Sequence, residues 1–154
     1  MIKFNIIVNN KSWYKYFRNP KGYLENKIKK LNKKFKKFKN NDIFCTLLLS
    51  GTTEIKKLNK KFRKKNKATD VLSFPFYNKK DFQKILKKEK EIYLGDIIIN
   101  FSKIESKNNK KKFLQEFNKL WIHGLAHLFG YNHIKDKEFS KMLKVEKKFL
   151  SYLN

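Results

Sequence analysis

Cysteine is all but missing. Cys45 stands alone, so no internal disulfide can form, and nothing points to an oxidising compartment. Long apolar runs are missing too. None approaches the ~18 residues of a membrane-spanning helix. The opening Met1-Ile2-Lys3-Phe4-Asn5 lacks the basic flank, apolar stretch and cleavage site of a secretory signal. The expectation is a soluble, cytoplasmic protein with no membrane partner. Acidic residues are scarce, 13 against 39 basic ones, for a formal net charge of +26. Arginine is scarcer still: of those 39 only two, Arg18 and Arg63, are not lysine. Histidine occurs three times. Internal repeats and domain-splitting linkers are absent, so the 154 residues read as one domain, 1–154.

What is present is material for a core. Hydrophobic residues make up 40% of the chain and aromatics 16%, mostly Phe, which is too apolar for disorder despite 34% charged residues. The charge has two readings that composition leaves open. One is a surface built to meet a polyanion such as RNA, DNA or a ribosome. The other is a genome whose A/T-rich codons inflate lysine along with Asn, Ile and Phe. Either origin leaves a surface that attracts phosphates in a salt-dependent way, without sequence preference.

Periodicity predicts the elements. Ile2 to Val8 reads as a first strand. A helix opens at Pro20-Lys21-Gly22 with the apolar stripe Leu24, Ile28, Leu31, Phe35 and Phe38. Asn40-Asn41-Asp42 is a turn, and Ile43 to Leu49 a buried strand containing Cys45 as packing. A second helix begins at Gly51-Thr52-Thr53 with the stripe Ile55, Leu58, Phe62 and Glu54 in its first turn. Val71 to Phe74 is a short strand stopped by Pro75. Residues 77–91 read as a Lys-rich loop with a helical turn, Tyr93 to Asn100 as a strand, and 103–111 as a charged connector. Phe113 to Leu128 is a strong helix. A last helix is capped by Asp136, with Phe139, Met142, Leu143, Phe149, Leu150 and Leu153 turned inward. About four strands and four to five helices predict an α+β domain, with helices packed on a single mixed β-sheet.

The chemistry concentrates in eleven residues. All three histidines lie in His123-Gly124-Leu125-Ala126-His127-Leu128-Phe129-Gly130-Tyr131-Asn132-His133. At ~100° per residue, positions 123 and 127 stand only ~40° apart around a helix, one turn along it. Both fall at the edge of the apolar stripe, between core and water. Gly130 can end the helix in a left-handed conformation and let His133 fold back. Three neutral imidazoles at this spacing suit zinc, and nickel or copper could also occupy such a site. A closed structural site would need a fourth protein ligand, for which Cys45 is the natural candidate but reads better as core. An open position would hold water, whose pKa a bound ion lowers to about 7. The spacing is that of metzincin proteases, but Gly124 stands where their general-base Glu belongs, which argues against peptide hydrolysis. Glycine there would leave space beside the metal for a substrate.

The sequence resembles the YbeY family of endoribonucleases and rRNA maturation factors. The family pattern H-G-x-L-H-L-x-G-Y-D-H stands here as HGLAHLFGYNH. A second block stands as Leu58-Asn59-Lys60-Lys61-Phe62-Arg63 followed by Thr69-Asp70-Val71-Leu72-Ser73-Phe74-Pro75. A third stands as Leu94-Gly95-Asp96-Ile97. The blocks cover roughly residues 50–150, and the first 40 residues match only in general pattern. Three positions depart from the family: Asn132 for Asp, Ala126 for Leu and Ala68 for Pro. An amide at 132 can orient an imidazole but cannot accept a proton, and Ala126 is expected on the helix side away from the stripe.

The resemblance implies a zinc-dependent, single-strand-specific endoribonuclease with one zinc ion at the end of a cleft. It implies work on 16S rRNA 3′-end maturation and ribosome quality control, with the 16S rRNA precursor and the small ribosomal subunit or its assembly factors as partners. His123, His127 and His133 become the metal ligands and Arg63 the functional arginine, with Arg63 and His123 carrying catalysis. The zinc would activate water or polarise phosphate. A guanidinium fork is also the natural clamp for a phosphate in a chain otherwise basic through lysine. Asp70 and Asp96 are candidates to orient ligands or accept a proton, although Asp70 also suits a turn cap. Phe74 and Tyr131 could stack on unpaired bases. Two other readings stand beside this one: a ribosome-associated assembly factor with a mainly structural metal, and a metal hydrolase acting on another substrate.

Overall fold

The computed structural model describes all 154 residues. In chain order the elements are β1 (Ile2–Val8), α1 (Pro20–Lys34), β2 (Asp42–Ser50), α2 (Thr52–Arg63), β3 (Val71–Pro75), α3 (Lys79–Lys88), β4 (Glu91–Asn100), α4 (Lys110–Leu128) and α5 (Asp136–Tyr152), with single 3-10 turns at Lys11–Lys15 and Phe101–Lys103. The four strands form one sheet in the order β1-β2-β4-β3. β1 and β2 pair in parallel, as do β2 and β4, while β3 runs antiparallel to β4 and forms an edge. The fold is therefore α+β with one mixed sheet.

The two faces of that sheet are covered unequally. β2 alternates cleanly, with Ile43, Cys45, Leu47 and Leu49 buried in a cluster of 27 residues shared with α1, α4 and α5. At its centre Trp13 and Trp121 are fully buried. The Trp13 indole N–H donates to the Ser50 carbonyl over 3.0 Å. Its ring meets Phe101, Phe113 and Phe117 edge-on at 5.3–6.1 Å. The opposite face holds a second cluster of only three buried residues, Ile55 of α2, Leu72 of β3 and Ile98 of β4.

Several expectations needed correction. Residues 79–88 form a full helix, α3, capped by the Asn78 side chain on the Asp81 N–H. Its apolar side is narrow, with Phe82 buried and Ile85 and Leu86 packed beside it. α1 stops at Lys34, so Phe35 and Phe38 reach the core from the following turn and not from the helix. Asp136 is the first residue inside α5 rather than its cap, which is Lys135 with no side-chain hydrogen bond. Phe139, Leu143 and Phe62 are exposed, at 52%, 38% and 58%, because their helices lie against their neighbours over a narrower stripe than their apolar residues mark out. Ala126 is buried, so both flanks of α4 are covered near its end.

Where α4 crosses the sheet it runs close. A Cβ on Gly124 would stand 2.6 Å from Ile97 Cγ2 and 3.1 Å from Ser73 Oγ. Gly124 therefore seats the helix on β3 and β4 and leaves no room for substrate, contrary to the expectation from sequence. That contact sets the height of His123 above the sheet.

Candidate metal centre and arginine site

α4 ends in a turn that assembles the site. Phe129 caps the helix, Gly130 takes φ +82°, its N–H donates to the His127 carbonyl (2.8 Å), and the Tyr131 N–H donates to the Ala126 carbonyl (3.1 Å). This pair of bonds is the glycine-terminated Schellman arrangement. It reverses the chain so that the Tyr131 carbonyl comes back to His127 and His133 faces the other two rings. The ring centroids lie 4.6 Å (His123–His127), 5.0 Å (His127–His133) and 5.6 Å (His123–His133) apart. One ligand atom from each histidine falls within 4.8 Å of the others.

The tautomers are set from outside the triad. His123 Nδ1–H donates to Glu146 Oε1 of α5 over 2.7 Å, and His127 Nδ1–H donates to the Tyr131 carbonyl over 2.9 Å. The free Nε2 atoms of the two rings then face each other 3.1 Å apart. Two nitrogens bound to one tetrahedral zinc at ~2.1 Å stand about 3.4 Å apart, so the pair needs little adjustment. Burial, then the charges of His123 and His133, lower the His127 pKa from 6.5 to about 4, against the opposing bonds to the Tyr131 carbonyl and Asn132. His127 is thus neutral at physiological pH, as an imidazole ligand must be. The donor set fits a divalent ion of the zinc type, with three nitrogens and no fourth protein ligand among them. Cys45 is buried with its thiol pKa pushed upward by burial, and it lies in the core cluster and not in the histidine group.

His123 and Glu146 open into a groove of about 460 Å³ between α4, α5 and the start of β3, lined also by Asp70, Lys119, Leu143 and Lys147. Arg63 hydrogen-bonds none of the histidines. It ends α2 on the thin face, donating from Nη2 to the Ser73 carbonyl over 2.9 Å, with its guanidinium 5.7 Å from the Phe74 ring centre. Ser73 is the hinge of this geometry: its hydroxyl lies under Gly124 and its carbonyl holds Arg63. Histidines and arginine therefore approach the edge strand β3 from opposite faces. Arg18 lies on the turn before α1 and joins neither group.

The remaining candidates separate. The Asp70 carboxylate accepts from its neighbours Thr69 Oγ1 and the Val71 N–H, so it caps the start of β3, though it also lines the groove. Asp96 turns to the α2 face, where it accepts from the Tyr93 hydroxyl and lines a pocket with Leu58 and Phe62. A bulge explains this: Phe44 pairs with Tyr93 but Cys45 with Gly95, so Leu94 is extra and the alternation of β4 flips. Phe74 packs against Phe62 at 5.3 Å, and Tyr131 carries the Lys79 ammonium over its ring. Glu146 escaped the sequence reading. Its signal was its place at helical spacing between Met142 and Phe149, the residues that α5 buries, with the buried Leu153 just beyond the helix.

Comparison with known proteins agrees with this picture. A family model described as "Endoribonuclease YbeY" matches residues 8–154, reaching further toward the N-terminus than the motif blocks do. The "Endoribonuclease YbeY" of Pelagibacter ubique is 40% identical over 148 residues, 95% of this chain and 92% of that protein. That of Fusobacterium nucleatum is 33% identical over 131 residues, 84% of this chain and 78% of the relative. A solution structure of a Thermotoga maritima protein shares the fold with a TM-score of 0.63 at 27% identity, over 98% of this chain and 89% of that one.

Proposed function

The chain belongs to the YbeY endoribonuclease family, and on that footing we propose that it is a zinc-dependent, single-strand-specific endoribonuclease of 16S rRNA 3′-end maturation and ribosome quality control. Its place of work would be the cytoplasm, on the small ribosomal subunit or with that subunit's assembly factors. No helix is long and apolar enough to cross a membrane. The observation that carries the reading is the convergence of His123, His127 and His133, whose ligand atoms lie within 4.8 Å of one another.

In this reading the three histidines would hold one divalent ion, which would act as a Lewis acid toward the scissile phosphodiester or water. The protein's own groups do the rest. Glu146 and the Tyr131 carbonyl keep Nε2 of His123 and His127 free. Arg63, exposed at the rim of β3, would exchange its single backbone hydrogen bond for the fork of a phosphate. Lys119 and Lys147 in the groove neutralise backbone phosphates. No carboxylate stands beside the histidines on α4 where a metzincin would have one, which fits phosphoryl rather than peptide chemistry.

The test is to incubate the protein with single-stranded RNA bearing the 16S 3′ region, with and without a chelator, beside a His123→Ala, His127→Ala variant. Cuts that vanish with the chelator and in the variant are expected. Identical cuts from wild type and variant would defeat the reading. Tight RNA binding without cutting would favour an assembly factor that reaches rRNA through its net charge of +26.

A further inference from the structure

His123 and His127 are one helical turn apart, yet they are anchored by different chemistry. His127 leans on a neutral backbone carbonyl supplied by the turn that ends its own helix. His123 leans on a carboxylate from another helix, 23 residues further along the chain, at 2.7 Å. Among 39 basic side chains Glu146 forms no ion pair with a lysine or arginine, and its one hydrogen-bond partner is the His123 imidazole. The Glu146 side chain is only 20% exposed, at the edge of the groove, on the side of α5 that also carries the buried Met142 and Phe149. Burying a carboxylate there costs stability unless a partner compensates.

We propose that Glu146 is a positioning residue for the metal site. It holds His123 as the Nδ1–H tautomer, aims Nε2 at the point shared with His127 and His133, and by its negative charge makes that nitrogen a stronger donor toward a cation. The inference rests on the metal-site reading above and adds a specific dependence: one ligand owes its strength to α5, whereas His127 is oriented from within its own helix turn. α5 is thereby part of the metal centre without supplying a ligand.

The experiment measures Zn2+ affinity by competition with a chromophoric chelator, and the visible bands of the Co2+ form, in the full chain. It compares wild type, Glu146→Gln, Glu146→Ala and the control Glu138→Gln, which removes an exposed charge from the same helix. Circular dichroism confirms the fold of each. The expected order is wild type, then Glu146→Gln, then Glu146→Ala, with the alanine variant weakened on the order of 10–100-fold. The Co2+ bands should move in both Glu146 variants and stay put in Glu138→Gln. Glu146→Gln at wild-type affinity with unshifted bands overturns the proposal whether or not the alanine variant folds. An equal loss in Glu138→Gln overturns it as well, since bulk charge would then suffice. Wild-type protein that fails to take up one equivalent of Zn2+ overturns the metal site itself, a different result from a variant that binds as wild type does.

Discussion

The two faces of the sheet are built to different standards. One carries α1, α4 and α5 over a core cluster of 27 buried residues, and the histidines sit at its rim, with the tautomers of His123 and His127 set by bonds from the protein. The other carries α2 over three buried residues, and Arg63, proposed above to grip phosphate, is exposed and tied by one hydrogen bond to a backbone carbonyl. The difference matches what each chemistry demands. An ion with fixed bond lengths tolerates little error in its ligands, so two of them belong on a helix locked by packing and the third on the turn that ends it. The phosphate grip proposed for Arg63 would have to adapt to a mobile strand, so it could hang from a helix end.

The largest expected effect that would test this contrast is structural. Trp121→Ala, on the thick face, should cost about 3–5 kcal/mol in denaturant unfolding. Leu58→Ala, half-buried on the thin face, should cost about 1 kcal/mol. Equal costs would mean that the faces are not unequal in energy, whatever their burial. Next is Arg63→Lys, which keeps the charge and loses the fork. RNA cleavage should fall on the order of tenfold while Zn2+ affinity holds. A parallel fall in metal affinity would show that the two faces do not act separately.

A smaller effect should follow pH. The His127 pKa is lowered to about 4 in the folded chain, by burial first and then by its two histidine neighbours. The unfolded chain takes up this proton near pH 6.5, and the folded one only near 4. The metal-free protein should therefore lose thermal stability as pH falls from about 6.5 to about 4 and gain nothing above that window. His127→Gln should flatten the slope, and an unchanged slope would place its origin elsewhere. The smallest effect belongs to Lys64, which ends α2 at φ +58°. Lys64→Gly should stabilise by at most about 1 kcal/mol, read as a small rise in Tm, because glycine adopts that conformation without strain.

Legibility in the sequence followed the range of the interaction. The strands β1 and β2, the helix α4 and the left-handed Gly130 were all predicted, because each depends on residues within a turn or a strand length of one another. The spacing of His123, His127 and His133 belongs to the same class, since helix period and one glycine turn suffice to bring them together. α3 was hidden because lysines outnumber its apolar residues Phe82, Ile85 and Leu86. Trp13, at the centre of the aromatic core, sits on a turn too short to show a period.

The sequence by itself determined that a three-histidine cluster would form at the end of one helix of an α+β domain. Helical geometry is local, and three imidazoles at that spacing have one natural meeting point. The tertiary structure decided everything that depends on partners distant in the chain. It turned Asp96 to the far face through a bulge, used Gly124 to seat α4 on the sheet instead of making room for substrate, and left Phe139 and Leu143 outside. It also brought Glu146 to His123. A periodic pattern states which residues share a side of a helix, but only the packing of one element on another states where that side ends and what it meets.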